Sequence, residues 1–232
     1  MGLFDFFKKK EEPTKTEPEK NTPSATETEG TVCTQGWDAI DAEFERVYPG
    51  QTNPKHYGTI IKWRLGGKDP LDGISVYDGG DYWHFVGYGL SEIYDKETDN
   101  PEISGFGMEF TFKLKKDNYD DEEGEIRCIC GILQSLARLT AGKGEIFRPY
   151  EYIYTGQTTG IDAYQKSNLT GFICVPDPTV NTIQTPNGKV EFLEFIGMTD
   201  AELKTLSTHD SVEEIYNKLG SDVTDYHRES LV

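Results

Sequence analysis

The stretch Gly105-Phe106-Gly107-Met108-Glu109-Phe110-Thr111-Phe112-Lys113-Leu114 decides the fold class. Phe106, Met108, Phe110, Phe112 and Leu114 alternate with Gly107, Glu109, Thr111 and Lys113, the period-two pattern of a strand with one face in a core. The other face is expected to look outward. Upstream, residues 57 to 65, 73 to 77 and 82 to 88 are rich in Ile, Val, Tyr, Trp and Phe and are separated by Gly-Gly, Asp-Pro and Asp-Gly-Gly turn signals, which predicts successive strands. Asp78-Gly79-Gly80-Asp81 predicts a hairpin between the last two. Further upstream, Trp37, Ile40, Phe44 and Val47 make a helical stripe with Asp38, Asp41, Glu43 and Glu45 off it, ending near Tyr48-Pro49-Gly50.

Downstream of that strand, a charged loop from Lys115 to Gly124 leads into a second helix. Its stripe is Ile126, Ile129, Leu133 and Leu136, and Gly142 is the expected stop. Gly171 to Val175 reads as a short strand, and Asn187-Gly188 between Asn181–Gln184 and Lys189–Ile196 is a strong hairpin signal. Thr199-Asp200-Ala201-Glu202 and Ser211-Val212-Glu213-Glu214 have the spacing of capping boxes, each opening a short helix. Strands and helices mix without regular alternation. The expected fold class is therefore α+β, a mixed and largely antiparallel sheet flanked by helices.

The 232 residues carry 23 Lys plus Arg against 41 Asp plus Glu, a formal charge of -18, which repels phosphate backbones and anionic lipid headgroups. Nucleic acid is excluded as a partner on that ground, and an acidic surface suits steered capture of a basic protein. Residues 1 to 30 form a separate segment: a short apolar stub, Gly2 to Phe7, then Lys8-Lys9-Lys10 and a Glu/Thr/Pro/Lys/Ser tract, expected to be a disordered tail ahead of a domain over 31 to 232. The stub is too short for a secretory signal, and no run is long enough for stable membrane insertion, so a cytoplasmic location follows. Cys33, Cys128, Cys130 and Cys174 lack zinc-knuckle spacing and read as reduced, structural thiols.

No catalytic, metal or cofactor motif emerges. His56, His209 and His227 form no His-x-x-x-His or Glu-x-x-x-His pair. Asp117, Asp120, Asp121, Glu122, Glu123 and Glu125 lack the ligand alternation of a calcium loop. Gly66-Gly67-Lys68-Asp69 runs into Pro70 and is a turn rather than a phosphate loop. His84 has carboxylates nearby in sequence at Asp78, Asp81 and Glu92, but the expectation is a strand histidine packed beside Trp83 and bonded to backbone.

Several blocks together resemble the Suppressor of fused family: Tyr48-Pro49-Gly50-Gln51-Thr52-Asn53-Pro54, then Leu65-Gly66-Gly67-Lys68-Asp69-Pro70-Leu71-Asp72, then Trp83-His84-Phe85-Val86-Gly87-Tyr88-Gly89-Leu90-Ser91-Glu92-Ile93-Tyr94. Ser104 to Leu114, and Gln184 to Leu193 followed by Gly197, continue the same order. The resemblance covers about residues 36 to 232 and looks like the compact bacterial type, without the long C-terminal extension of the animal proteins. In animals the family binds and restrains transcription factors, holding a peptide by strand addition. In bacteria it is linked to immunity proteins of polymorphic toxin systems. The animal peptide site uses a Tyr after the Trp-His pair, where this chain has Phe85 and so no hydroxyl to hydrogen-bond.

The resemblance and the acidic charge together imply a non-enzymatic protein-binding domain that neutralises a cognate partner, such as a basic toxin domain. An intracellular scaffold held near a membrane by the stub is the alternative. The expected partner-binding residues are the aromatic strand set Tyr82, Trp83, His84, Phe85 and Tyr88, the outward Glu109, and the acidic run Asp120, Asp121, Glu122 and Glu123. Trp83, Phe85 and Gly87 share one face of their strand and Tyr82, His84, Val86 and Tyr88 the other, so only one set is expected to be wholly core.

Overall fold

A computed structural model describes residues 35–91 and 102–232. The 1 to 30 tail, Cys33 and the Glu92-Ile93-Tyr94 end of the third motif lie outside the described residues. In chain order the elements are α1 (Gln35–Val47), β1 (Lys55–Gly58), β2 (Gly73–Asp78), β3 (Tyr82–Tyr88), β4 (Ile103–Lys115), α2 (Glu122–Lys143), β5 (Glu151–Ile153), β6 (Leu169–Pro176), β7 (Ile183–Thr185), β8 (Gly188–Thr199), α3 (Asp200–Leu203) and α4 (His209–Leu219). The strands form one eight-stranded sheet in the order β1-β2-β3-β4-β8-β6-β5, with β7 paired to β8. Every pairing is antiparallel except that of the two long central strands, β4 and β8. The expected α+β mixed sheet is borne out.

The apolar face of β4 packs as its alternation predicts. Met108, Phe110, Phe112 and Leu114 join Phe85, Phe172 and Phe195 under the Ile126, Ile129, Leu133 and Leu136 stripe of α2. The opposite face, expected outward, is buried as well. There α1 places Ile40 and Phe44 on Tyr77, Val86, Tyr88 and Phe192, while α3 and α4 place Leu203, Val212 and Ile215 on Ile173, Val175, Ile196 and Met198. Glu109, Thr111 and Lys113 of β4 run as a polar seam in the interior on this face. A sheet covered on both faces leaves its central strands no solvent side, so alternation here separates apolar core from polar core.

Local departures have local causes. The 57 to 65 strand stops at Gly58. Beyond it, the Thr59 amide and hydroxyl bond Asp72 O and the Trp63 amide donates to Asp72 Oδ1 at 2.8 Å, which folds Trp63–Leu65 into a 3-10 turn. Helix α2 runs through Gly142 to Lys143, because the left-handed residue that ends it is Gly144 (φ 74°). Thr199 and Glu202 do form a capping box, but α4 is capped three residues earlier than the 211–214 spacing suggests: Thr208 is its N-cap and Ser211 its reciprocal partner. Strand β5 is three residues long, too short to show an alternation in the sequence.

Candidate functional site

β3 runs between β2 and β4, so the expected binding strand is largely interior. Phe85 lies in the core under α2 and Tyr88 in the core under α1. Each set is core except at its first residue, Tyr82 in one and Trp83 in the other, which are half-buried, so neither set is wholly core. Tyr88 donates its hydroxyl to Asp41 Oδ1 at 2.7 Å. Glu109 is completely buried, and its Oε1 accepts from Gly89 N, Ser91 N and Ser91 Oγ at 2.7–2.9 Å, pinning the turn that follows β3. Phe85, Tyr88 and Glu109 therefore support the site from within.

His84 is also fully buried, and it bonds side chains rather than backbone. Its Nε2 lies 2.9 Å from Asp177 Oδ2 and its Nδ1 2.8 Å from the Tyr48 hydroxyl, which is 3.2 Å from that of Tyr82. Asp78 and Asp81, the neighbours in sequence, are not its partners; Asp177 comes from 93 residues away. Burial lowers the His84 pKa more than Asp177 raises it, so the ring is neutral and donates Nε2–H to the carboxylate. Thr111 Oγ1 and Lys113 Nζ also reach Asp177, and Lys113 goes on to Glu194 at 2.8 Å and Asp222 at 2.6 Å. Burial opposes ionisation of Asp177, but His84 and Lys113 outweigh it and hold this carboxyl below the usual range. Tyr48, His84 and Asp177 have the order of a general-base relay, yet a base must touch its substrate, and His84 and Asp177 are sealed off from solvent. The network joins β3, β4, β8 and the C-terminal segment.

The surface that can meet a partner lies at the β1 margin of the sheet. Trp83 is half-buried beneath two ammonium groups, Lys55 Nζ at 4.6 Å and Lys116 Nζ at 3.9 Å from the ring centre. Lys55, on β1, also pairs with Glu122 at 3.5 Å, and Tyr57 donates to Glu123 Oε2 at 2.9 Å. The first turn of α2 is therefore fastened beside β1. Asp121 caps that helix by accepting from Gly124 N, and Asp120 to Glu123 are all exposed. Acidic side chains at a helix N-terminus complement its dipole, which gives Asp121, Glu122 and Glu123 a local role as well.

From the other end of β1 projects a loop with Ile60 at 103% exposure, Ile61 at 55% and Leu65 at 69%. The loop is braced by Asp72 from below. It closes tightly at Gly66, in the left-handed region at φ 85°, and at Gly67, where a Cβ would fall 2.1 Å from Ile61 O. Burying such a side chain stabilises by roughly 1.5–3 kcal/mol, so three held in water on a fixed loop are unused binding energy. Sequence reasoning placed Ile60 and Ile61 inside a strand. The signal against it was Gly66-Gly67 followed by Asp69-Pro70, which turns the chain back toward Asp72.

Trp83, Glu122 and Glu123 are thus brought to one margin by Lys55 and Tyr57. Tyr82, half-buried, belongs to the His84 network, and Asp120 faces a separate cavity described below. Among the described residues no group of three or more His, Cys, Asp or Glu is placed to hold a metal, and no helix is long and apolar enough to cross a membrane.

The family model described as Suppressor of fused protein (SUFU) matches residues 67–229. Suppressor of fused homolog from Homo sapiens is 32% identical over 183 residues, 72% of this chain but 36% of the relative, so the chain spans about a third of the length of that relative. Among solved structures, the Sufu-Fu complex superposes with a TM-score of 0.72 at 28% identity, covering 84% of this chain and 91% of that one. A putative SUFU homolog from Neisseria gonorrhoeae has a TM-score of 0.54 at 13% identity over 84% of this chain and 96% of the other, a likeness of fold alone. Motif order, sheet topology and these matches agree: the chain belongs to the Suppressor of fused family.

Proposed function

We propose that this chain is a non-enzymatic protein-binding domain acting in the cytoplasm, and that it neutralises a cognate partner of immunity-type association, a basic toxin domain, by tight docking on its β1 margin. The observation that carries this reading is the braced loop with Ile60, Ile61 and Leu65 in solvent beside an edge strand. An edge strand offers main-chain hydrogen bonds to an added strand, and rigid apolar side chains beside it supply burial at little entropic cost. Glu122 and Glu123 flank that edge and favour a basic partner. A related structure is that of a complex, Sufu with Fu, which supports association with protein as the mode of action.

The test is affinity capture with the full chain from its own cells, wild type against Ile60→Asp combined with Leu65→Asp. Both positions are exposed, so the variant is expected to keep the wild-type urea midpoint while recovery of a basic protein in near-equal stoichiometry falls at least ten-fold. Equal recovery by both would move docking away from this loop. Absence of any protein partner, together with turnover of a small molecule, would sink the binding-domain reading itself. Co-expression of the captured protein with and without this chain then decides between neutralisation and scaffolding.

A further inference from the structure

A second concave site lies away from β3, where the start of α2, the loop before β6 and the C-terminal segment meet. Its volume is about 350 Å³, and its walls include Tyr119, Asp120, Glu125, Asp162, Tyr164 and Tyr226. Tyr226 is 6% exposed, and its hydroxyl makes no hydrogen bond. It stands near enough to Glu125 to favour the carboxylate without making a well-formed hydrogen bond to it. A further buried polar atom without a partner belongs to a residue of this wall, Arg228 Nε. Buried polar groups are satisfied in all but a few cases, so a polar group entering this cavity would find donors and an acceptor ready for it.

The chemistry of the wall favours a cation. Glu125, itself 3% exposed, accepts from Ala163 N, and Asp162 accepts from Lys166 N and Ser167 N, all neutral backbone donors. Asp120 adds a third carboxylate at the wall. The charge of Arg228 is turned into Glu202, its two terminal guanidinium nitrogens each lying 2.6 Å from a carboxylate oxygen. Lys166 Nζ sits 5.1 Å from the Tyr164 ring centre, so the rim already accommodates an ammonium on an aromatic face. Burial, with Asp162 adding to it, pushes the Glu125 carboxyl up, which a cation placed beside it would reverse.

We propose that this cavity receives a single basic side chain, lysine or arginine, of the bound protein, held by Glu125 and Asp120 with the Tyr226 hydroxyl as a further partner. The Arg228 Nε–H is a donor suited to a carbonyl of the same peptide. This rests on the protein-binding reading and assigns its basic partner a specific anchor. It gives Asp120 a role distinct from that of Glu122 and Glu123, which face β1.

The test is a titration of the isotope-labelled full chain with N-acetyl-arginine-amide and N-acetyl-lysine-amide, followed by amide chemical shifts, with N-acetyl-citrulline-amide as the uncharged control. Saturable shifts confined to residues 118–120, 162–168 and 226–228 are expected with at least one of the cations. Citrulline should bind at least ten-fold more weakly, and Glu125→Gln and Asp120→Asn should each weaken the cation at least three-fold. Asp120 is exposed, so its variant keeps the test alive if Glu125→Gln fails to fold. Equal binding of citrulline, or shifts that never saturate and spread over the whole acidic surface, would mean a cavity filled by water and overturn the proposal. Capture of a partner by wild type and by both variants alike would also reject the anchor while leaving the binding reading intact; failure of wild type to capture anything would reject that reading and leave the titration to decide the cavity.

Discussion

Lys113 stands 1% exposed at the junction of Asp177, Glu194 and Asp222. Burial works against its charge, but the three carboxylates outweigh it and raise its pKa above the usual value. Glu194 is pushed up, first by burial and then by Asp177. Replacing one member of such a cluster leaves the others uncompensated, which costs about 3–5 kcal/mol. Lys113→Met is therefore expected to lose that much in urea unfolding at pH 7. Without the ammonium, Asp177 loses one of the groups that hold its carboxyl down and Glu194 loses the one that opposes its rise, so the penalty is largest at high pH and shrinks as the solution is acidified. Repeating the unfolding at pH 5 should give a smaller difference from wild type; an equal difference at both pH values would show that volume rather than charge sets the cost.

At the scale of elements, the ends of helices and strands are fixed by single polar side chains that sequence spacing locates only approximately. The α4 cap illustrates this. Ser211 and Glu214 have the spacing of a capping box, but the helix begins at His209, with Thr208 Oγ1 accepting from Ser211 N at 3.2 Å and Ser211 Oγ returned to Thr208 N at 3.0 Å. Leu206 and Val212 are buried together, which draws the chain into the helix earlier. Thr208→Ala is expected to cost about 1 kcal/mol, and Glu214→Ala, on an exposed position, to stay within about 0.5 kcal/mol. Thermal unfolding of the two variants checks the assignment, and the reverse ranking would restore the later cap.

On the scale of the whole molecule, helices on both faces of the sheet close the interior. Cys130 and Cys174 lie inside it, and Cys128, half-buried, points its Sγ at Ile161 O. Burial pushes the Cys128 and Cys130 thiols up to about 12 and Cys174 up as well, so thiolate is scarce at neutral pH. In a Cys33→Ser background, labelling by a thiol reagent is expected to be at least a hundred-fold slower for the native chain than in urea. Rapid native labelling of Cys174 would reveal an opening between β6 and its cover that the packing does not suggest.

The amino-acid sequence by itself determined the elements whose cause is local: the period-two run that makes β4, the stripes of α1 and α2, the Asp78–Asp81 turn and the hairpin signalled by Asn187-Gly188, and the Thr199 capping box. It also carried the family, through short motifs in fixed order. Tertiary structure alone decided which polar residues face water. Glu109, Thr111 and Lys113 look like the solvent side of a strand because alternation reports two faces, not what covers each. His84 meets Asp177, and β1 meets the start of α2, across separations that no local pattern encodes. The exposed Ile60, Ile61 and Leu65 are the converse case: apolar side chains held in water because Asp72, Gly66 and Gly67 fix a loop where their own preference would have continued a strand.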